Sequence, residues 1–128
     1  MKICSNSSNA CMYGYQSMIY AAVRGCKVLN CSWGGATPYS VVKQSIVDYT
    51  IACDVAIVAA AGNMGNGITD RYCTFYPAGY FGVLGASSTN NNDEVNTNRY
   101  VIGTAMRIMA QGNNYSLTGN SGTRQLDE

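Results

Sequence analysis

Asp54-Val55-Ala56-Ile57-Val58-Ala59-Ala60-Ala61-Gly62-Asn63-Met64-Gly65-Asn66-Gly67 is the stretch that decides the fold. An unbroken apolar run, Val55 to Ala61, stops abruptly in a glycine-rich loop. A run of this kind reads as a strand buried on both faces, the habit of parallel sheets. It is far short of the roughly 20 apolar residues that cross a bilayer.

Working outward, Lys27-Val28-Leu29-Asn30-Cys31 reads as a second buried strand that runs into Ser32-Trp33-Gly34-Gly35. Between the two strands, Thr37-Pro38 suits a helix start, because proline in the first turn gives up no needed hydrogen bond. Val41, Val42, Ile46 and Tyr49 then form an apolar face. Further upstream, Met12, Tyr15, Ile19, Ala22 and Val23 give an earlier helix, with Ser8 or Asn9 as its cap and Gly25 at its left-handed end. Lys2 to Cys4 fits the end of a preceding strand. Downstream, Val83 to Ser87 is a small-residue strand, and Thr89 to Asn98 is an asparagine-rich loop. Tyr100 to Ile102 and Arg107 to Met109 are short strand candidates, and the chain is polar and turn-rich from Gly112. The alternation predicts a single α/β domain over 1–128, three-layered, with a mainly parallel sheet flanked by helices. Sites in such sheets form where loops leave the carboxyl ends of strands. The loops Ser32–Gly35 and Gly62–Gly67 are the two candidates.

Composition agrees with a packed domain. Hydrophobic residues are 47% and charged residues 12%, too apolar for disorder. The net charge of +1 is spread singly, with no Lys/Arg run to attract nucleic acid or an anionic membrane. The start Met1-Lys2-Ile3-Cys4-Ser5-Asn6 has no apolar core of signal-peptide length. The six cysteines include no C-x-x-C pair, and the chain has no histidine, so a zinc site of the usual Cys/His kind is not expected. The cysteines read mostly as packed free thiols, with disulfides left open. The missing histidine also removes the commonest general base near neutral pH.

Gly62-x-x-Gly65-x-Gly67 follows a strand and invites a phosphate-cradle reading. Its spacing is not G-x-G-x-x-G, and no Gly-Lys-Ser/Thr follows. A loop using glycine for tight turns is the better account.

Five segments in order carry a resemblance. Val28-Leu29-Asn30-Cys31-Ser32-Trp33-Gly34-Gly35 is similar to the V-I-N-M-S-L-G-G stretch of the subtilases, the subtilisin-like serine proteases. Val55 to Gly65 resembles the stretch V-V-V-A-A-A-G-N-x-G. Tyr76-Pro77-Ala78 with Val83-Leu84-Gly85-Ala86 resembles Y-P-A…V-I-x-V-G-A. Ile108-Met109-Ala110-Gln111-Gly112 resembles D-I-x-A-P-G, with Gln111 in place of proline. Ser121-Gly122-Thr123 matches the start of S-G-T-S-M-A. Together they span nearly the whole chain.

The resemblance implies a partial subtilisin-like fold and hydrolysis of peptide bonds through an acyl-enzyme. It makes Asn63 the side-chain oxyanion donor, Ser32, Trp33 and Gly34 the strand that pairs with substrate backbone, and Ala60, Ala61 and Gly62 the opposite wall of the specificity pocket. It implies a peptide or protein substrate in the complete parent and no cofactor, while the scattered charge and short apolar runs predict no nucleic acid and no membrane partner. Family members often bind calcium, and Ala78–Val83 resembles a weak cation loop with carbonyl ligands. Family members are often secreted, which leaves the compartment of this chain open.

The triad of this fold runs Asp, His, Ser. The resemblance puts the Asp and His motifs upstream of the strand that Lys2-Ile3-Cys4 matches. The nucleophile should follow Thr123, where Arg124 stands, then Gln125-Leu126-Asp127-Glu128. A guanidinium is always protonated and cannot attack a carbonyl. Ser121 and Thr123 lack a histidine to activate them. The expectation is a fragment or truncated product, inactive by itself, with two alternatives: a non-catalytic peptide-binding or regulatory remnant, and a doubly wound small-molecule-binding domain.

Overall fold

Helix formation starts later along the chain than the apolar pattern suggests. In this computed structural model, residues 13–65, 67–95 and 101–112 are described in full, and 115–119 and 122–126 by their backbone. Helix α1 spans Gly14–Val23 and has no side-chain cap at Tyr13; Met1 to Met12, with the expected caps Ser8 and Asn9 and the strand at Lys2–Cys4, lie outside the described residues. Its end is closed as expected. Gly25 takes φ 81°, its N–H bonds to Ala22 O and the Cys26 N–H reaches Ala21 O, a Schellman arrangement that satisfies the last carbonyls.

Helix α2 spans Val41–Ala52. Ser40, three residues after Thr37, is the cap, and its hydroxyl accepts from the Lys43 N–H. The later start rotates the helix relative to the expected face. Val41 and Val42 are 70% and 72% exposed, and Gln44, Val47 and Thr50 face inward. Gln44 is satisfied there: it accepts from the Phe81 N–H and donates to Phe81 O and Asp48. The face of α1 is as expected at Ala22 and at Tyr15, which packs against the core, and differs elsewhere. Met18, Gly14 and Ala22 are buried, while Val23 is exposed.

The sheet is built from β1 (Val28–Cys31), β2 (Ala56–Ala60), β3 (Leu84–Thr89) and β4 (Ile108–Gln111), all parallel and in the order β1-β2-β3-β4. The register sets Asn30 beside Val58 and Ala60 beside Ala86. The expected strand at Tyr100–Ile102 is not one in its described part. Val101 and Ile102 instead donate to Gly62 O and Arg71 O and tie loops together. Of the expected loop at Thr89–Asn98, Thr89 ends β3, residues 90–95 form a turn closed by Asn90, and the rest lies outside the described residues.

One core joins the layers. Met18 and Val47 from the helices meet Cys31, Ile57 and Ala59 from the sheet, with Tyr80 and Ala105 completing it. Burying side chains of this kind yields about 1.5–3 kcal/mol each. The run Val55 to Ala61 is covered on one face only among the described residues: Ile57 and Ala59 are buried, and Ala56 and Ala60 are exposed. Beyond Gly112 the expected turns give way to a hairpin, β5 (Tyr115–Gly119) and β6 (Gly122–Leu126), antiparallel.

Candidate active site

Because all four strands are parallel, the loops after β1 and β2 leave the same edge of the sheet. They bound a cavity of about 740 Å³. Ser32, Trp33 and Gly34 line one side, and Ala60, Gly62 and Asn63 the other. Ala61 is the exception among the expected wall residues. It is 1% exposed, its N–H bonds to Ala86 O, and it lines a second cavity of about 420 Å³ over the open face of the sheet. Asn63 borders both cavities and is exposed. Among the described residues its amide has no protein partner, so its N–H groups are available to a ligand.

Backbone supply differs between the walls. Gly62 O accepts from Val101 N–H at 3.0 Å, which fixes the second wall. The Ser32 hydroxyl accepts from the Asn30 amide at 3.1 Å, but the backbone groups of Ser32, Trp33 and Gly34 enter no loop hydrogen bond among the described residues, and the next tie is the two-way pairing of Gly35 with Tyr76 at 2.9 and 3.0 Å. The first wall is therefore a short segment whose backbone groups have no partner among the described residues. The Trp33 ring turns from it toward the helices, packing edge-on against Tyr15 with centroids 5.2 Å apart.

The sequence reading did not foresee Asp70, Cys73 and Phe75, which reach the cavity from one loop. Cys73 is the one thiol of the cleft among the described residues. Burial, and then the nearby Asp70 carboxylate, push its pKa above the ordinary value, so it stays protonated near neutrality and is no ready nucleophile. The loop Gly62–Gly67 closes on itself through Gly65 and Ile68 and leads into no helix, so it lacks the helix N-terminus of a phosphate cradle.

Ala78–Val83, the expected cation loop, uses two of its carbonyls internally. Tyr80 O and Phe81 O accept from the Val83 N–H and Gln44, and the loop has no carboxylate of its own. No cluster of three or more His, Cys, Asp or Glu occurs among the described residues, and no described helix is long and apolar enough to cross a membrane. Arg124 lies in β6 opposite Leu117, so the position after Thr123 is strand where the resemblance would put a helix start.

Comparison with known proteins agrees with this geometry. The model of the subtilase family matches residues 1–127. Thermitase of Thermoactinomyces vulgaris is 39% identical over 74 residues, covering 58% of this chain and 24% of the relative. Subtilisin DY of Bacillus licheniformis is 30% identical over 109 residues, covering 84% and 39%. The chain therefore spans well under half of these relatives. Among solved structures, the prenylagaramide maturation protease PagA superposes with a TM-score of 0.75 at 19% identity, covering 97% of this chain and 46% of that one. The psychrophilic subtilisin-like protease Apa1 of Pseudoalteromonas sp. AS-11 gives 0.62 at 23%, covering 75% and 21%.

Proposed function

This chain belongs to the subtilase family, and from that premise we propose that it supplies the substrate-aligning and oxyanion-binding half of a serine endopeptidase site. The observation that carries the proposal is the position of Asn63. It stands exposed just past the carboxyl end of β2, across the cavity from Ser32 to Gly34, whose backbone has no partner among the described residues. A peptide laid along Ser32–Gly34 would add a short strand, gaining affinity from main-chain hydrogen bonds. Its carbonyl oxygen would then face the Asn63 amide, which stabilises the charge that develops there when a nucleophile attacks. A fixed dipole contributes most at this point because it needs no reorganisation during the reaction.

The same reading assigns the chain no hydrolysis of its own. With no histidine in 128 residues and Arg124 after Thr123, no hydroxyl has a base of the needed kind. The test is labelling with a fluorophosphonate probe beside an active subtilase. The expected result is background labelling. Stoichiometric labelling abolished by heat would overturn the assignment.

A further inference from the structure

The cleft has a floor made by a single aromatic ring. Phe75 is held from its carboxyl side by backbone bonds: the following Tyr76 pairs with Gly35 in both directions, and Phe75 O accepts from the Gly79 N–H at 2.8 Å. Its ring is bracketed by the two cavity walls. A Cβ placed on Gly34 would meet the Tyr76 carbonyl oxygen first and lie 2.6 Å from ring carbon Cε1, and one on Gly62 would lie 2.6 Å from Cδ2. Both distances are well inside the roughly 3.5–4.0 Å of an ordinary carbon contact. Glycine on each wall is thus what lets the ring enter the slot. The ring stays half-buried, with its remaining surface on the cavity.

We propose that Phe75 sets the depth of the pocket for the side chain that precedes the scissile bond, so that the pocket takes Ala, Gly or Ser and rejects aromatic and long aliphatic side chains. This rests on the reading of the cleft as a peptide groove. An incoming side chain must enter between the same two walls, and the ring already fills the space a second ring would need. A methyl group can rest on the exposed edge of Phe75. A larger group must expel the ring from between Gly34 and Gly62, losing its packing on both sides. The Asp70 carboxylate also lines the cavity, but it is at an exposed position where its Oδ1 accepts from the Tyr72 N–H, so it is solvated rather than aimed at a buried cation.

Mismatches on the scale of one or a few methylenes discriminate by about 10–200-fold. The probe is the series acetyl-Ala-Ala-Pro-X with a free carboxylate, X being Ala, Leu, Phe or Lys. It is titrated into the folded chain by calorimetry, with emission of Trp33, the only tryptophan and a cavity residue, as a local reporter. The Ala peptide should bind at least about tenfold tighter than the Phe peptide. Phe75→Ala should raise affinity for the Phe peptide by a similar factor and weaken the Ala peptide, whose methyl loses the ring it rests on, so that the preference disappears or reverses. Phe75→Leu, a milder change, should give an intermediate order, and the wild-type series decides by itself if either variant misfolds. Equal binding of the Phe and Ala peptides by the wild type would overturn the role of Phe75 and leave the peptide groove standing. Tightest binding of the Lys peptide would overturn it too, and would give the pocket to Asp70. No saturable binding of any peptide by a folded chain would sink the groove and the Phe75 proposal together.

Discussion

Replacing Gly62 by alanine tests the packing of the cleft directly. Gly62 has φ 109°, a region that side chains disfavour, and adding a Cβ there costs about 1–2 kcal/mol in backbone strain. The new methyl would also stand 2.6 Å from Cγ and Cδ2 of Phe75. Reaching ordinary contact requires the ring to retreat by about 1 Å. It cannot do so freely, because Gly34 stands close against the same ring. Overpacking of this kind costs about 1–3 kcal/mol. The sum is about 2–5 kcal/mol, a large share of a small domain's stability. Gly65→Ala is the internal control. Its φ is 96°, yet nothing lies within 4 Å of its Cβ position, so only the backbone part applies. Urea unfolding followed by Trp33 emission and far-UV circular dichroism reads both variants, with the midpoint moving and the slope unchanged. A Gly62→Ala/Phe75→Ala double variant should recover the steric part, as a double-mutant cycle would show. Equal losses for Gly62→Ala and Gly65→Ala, within about 0.5 kcal/mol, would refute the account of the ring between glycine walls.

Met18 is 1% exposed at the centre of the core, so Met18→Ala should cost about 2–5 kcal/mol in the same unfolding assay. Burial pushes the Cys31 thiol up to about 11. Since the folded value lies above the unfolded one of about 8.5, its contribution to stability is complete below about pH 8.5 and is lost as pH rises toward 11, which unfolding midpoints across that range will show. In thiol titration with Ellman's reagent, the exposed Cys26 should react well before the buried Cys31.

What the sequence disclosed and what it hid have physical reasons. The strand within Asp54 to Ala61 was legible because a long apolar run ending in glycines admits few other readings, and its parallel partners followed from the alternation with helices. The coverage of that strand was not legible, since Ala56 and Ala60 look the same in sequence whether a layer packs on them or not. The face of α2 was legible only at Ile46, which packs against the core: the helix begins after Ser40 rather than Thr37, and Val41 and Val42 lie on its outer side. The hairpin at Tyr115–Leu126 had a signal that was passed over: two residues, Asn120-Ser121, between flanking glycines at the length of a tight hairpin turn. The residues at the mouth of the cleft, Ser32 to Gly34 and Gly62 with Asn63, were legible because each follows its strand directly. Phe75 was not, because its role arises from contacts with Gly34 and Gly62 that are distant in sequence, and no local spacing encodes them.

The central claim is that Asn63 donates to a developing oxyanion, and it is tested most directly where a triad is present. Residues 13–112 would be joined to a subtilase's Asp and His segments upstream and its serine helix downstream, and steady-state hydrolysis of a peptide anilide measured with and without Asn63→Leu. Loss of one preorganised oxyanion donor lowers kcat by about 10²–10³ as a general figure, not one worked out from this structure. The account predicts a fall of that order with KM changed by less than about threefold, since the hydrogen bond forms mainly in the transition state. A variant that keeps kcat within about threefold of its parent, less than about 1 kcal/mol of barrier, would make Asn63 an ordinary loop residue and contradict the account.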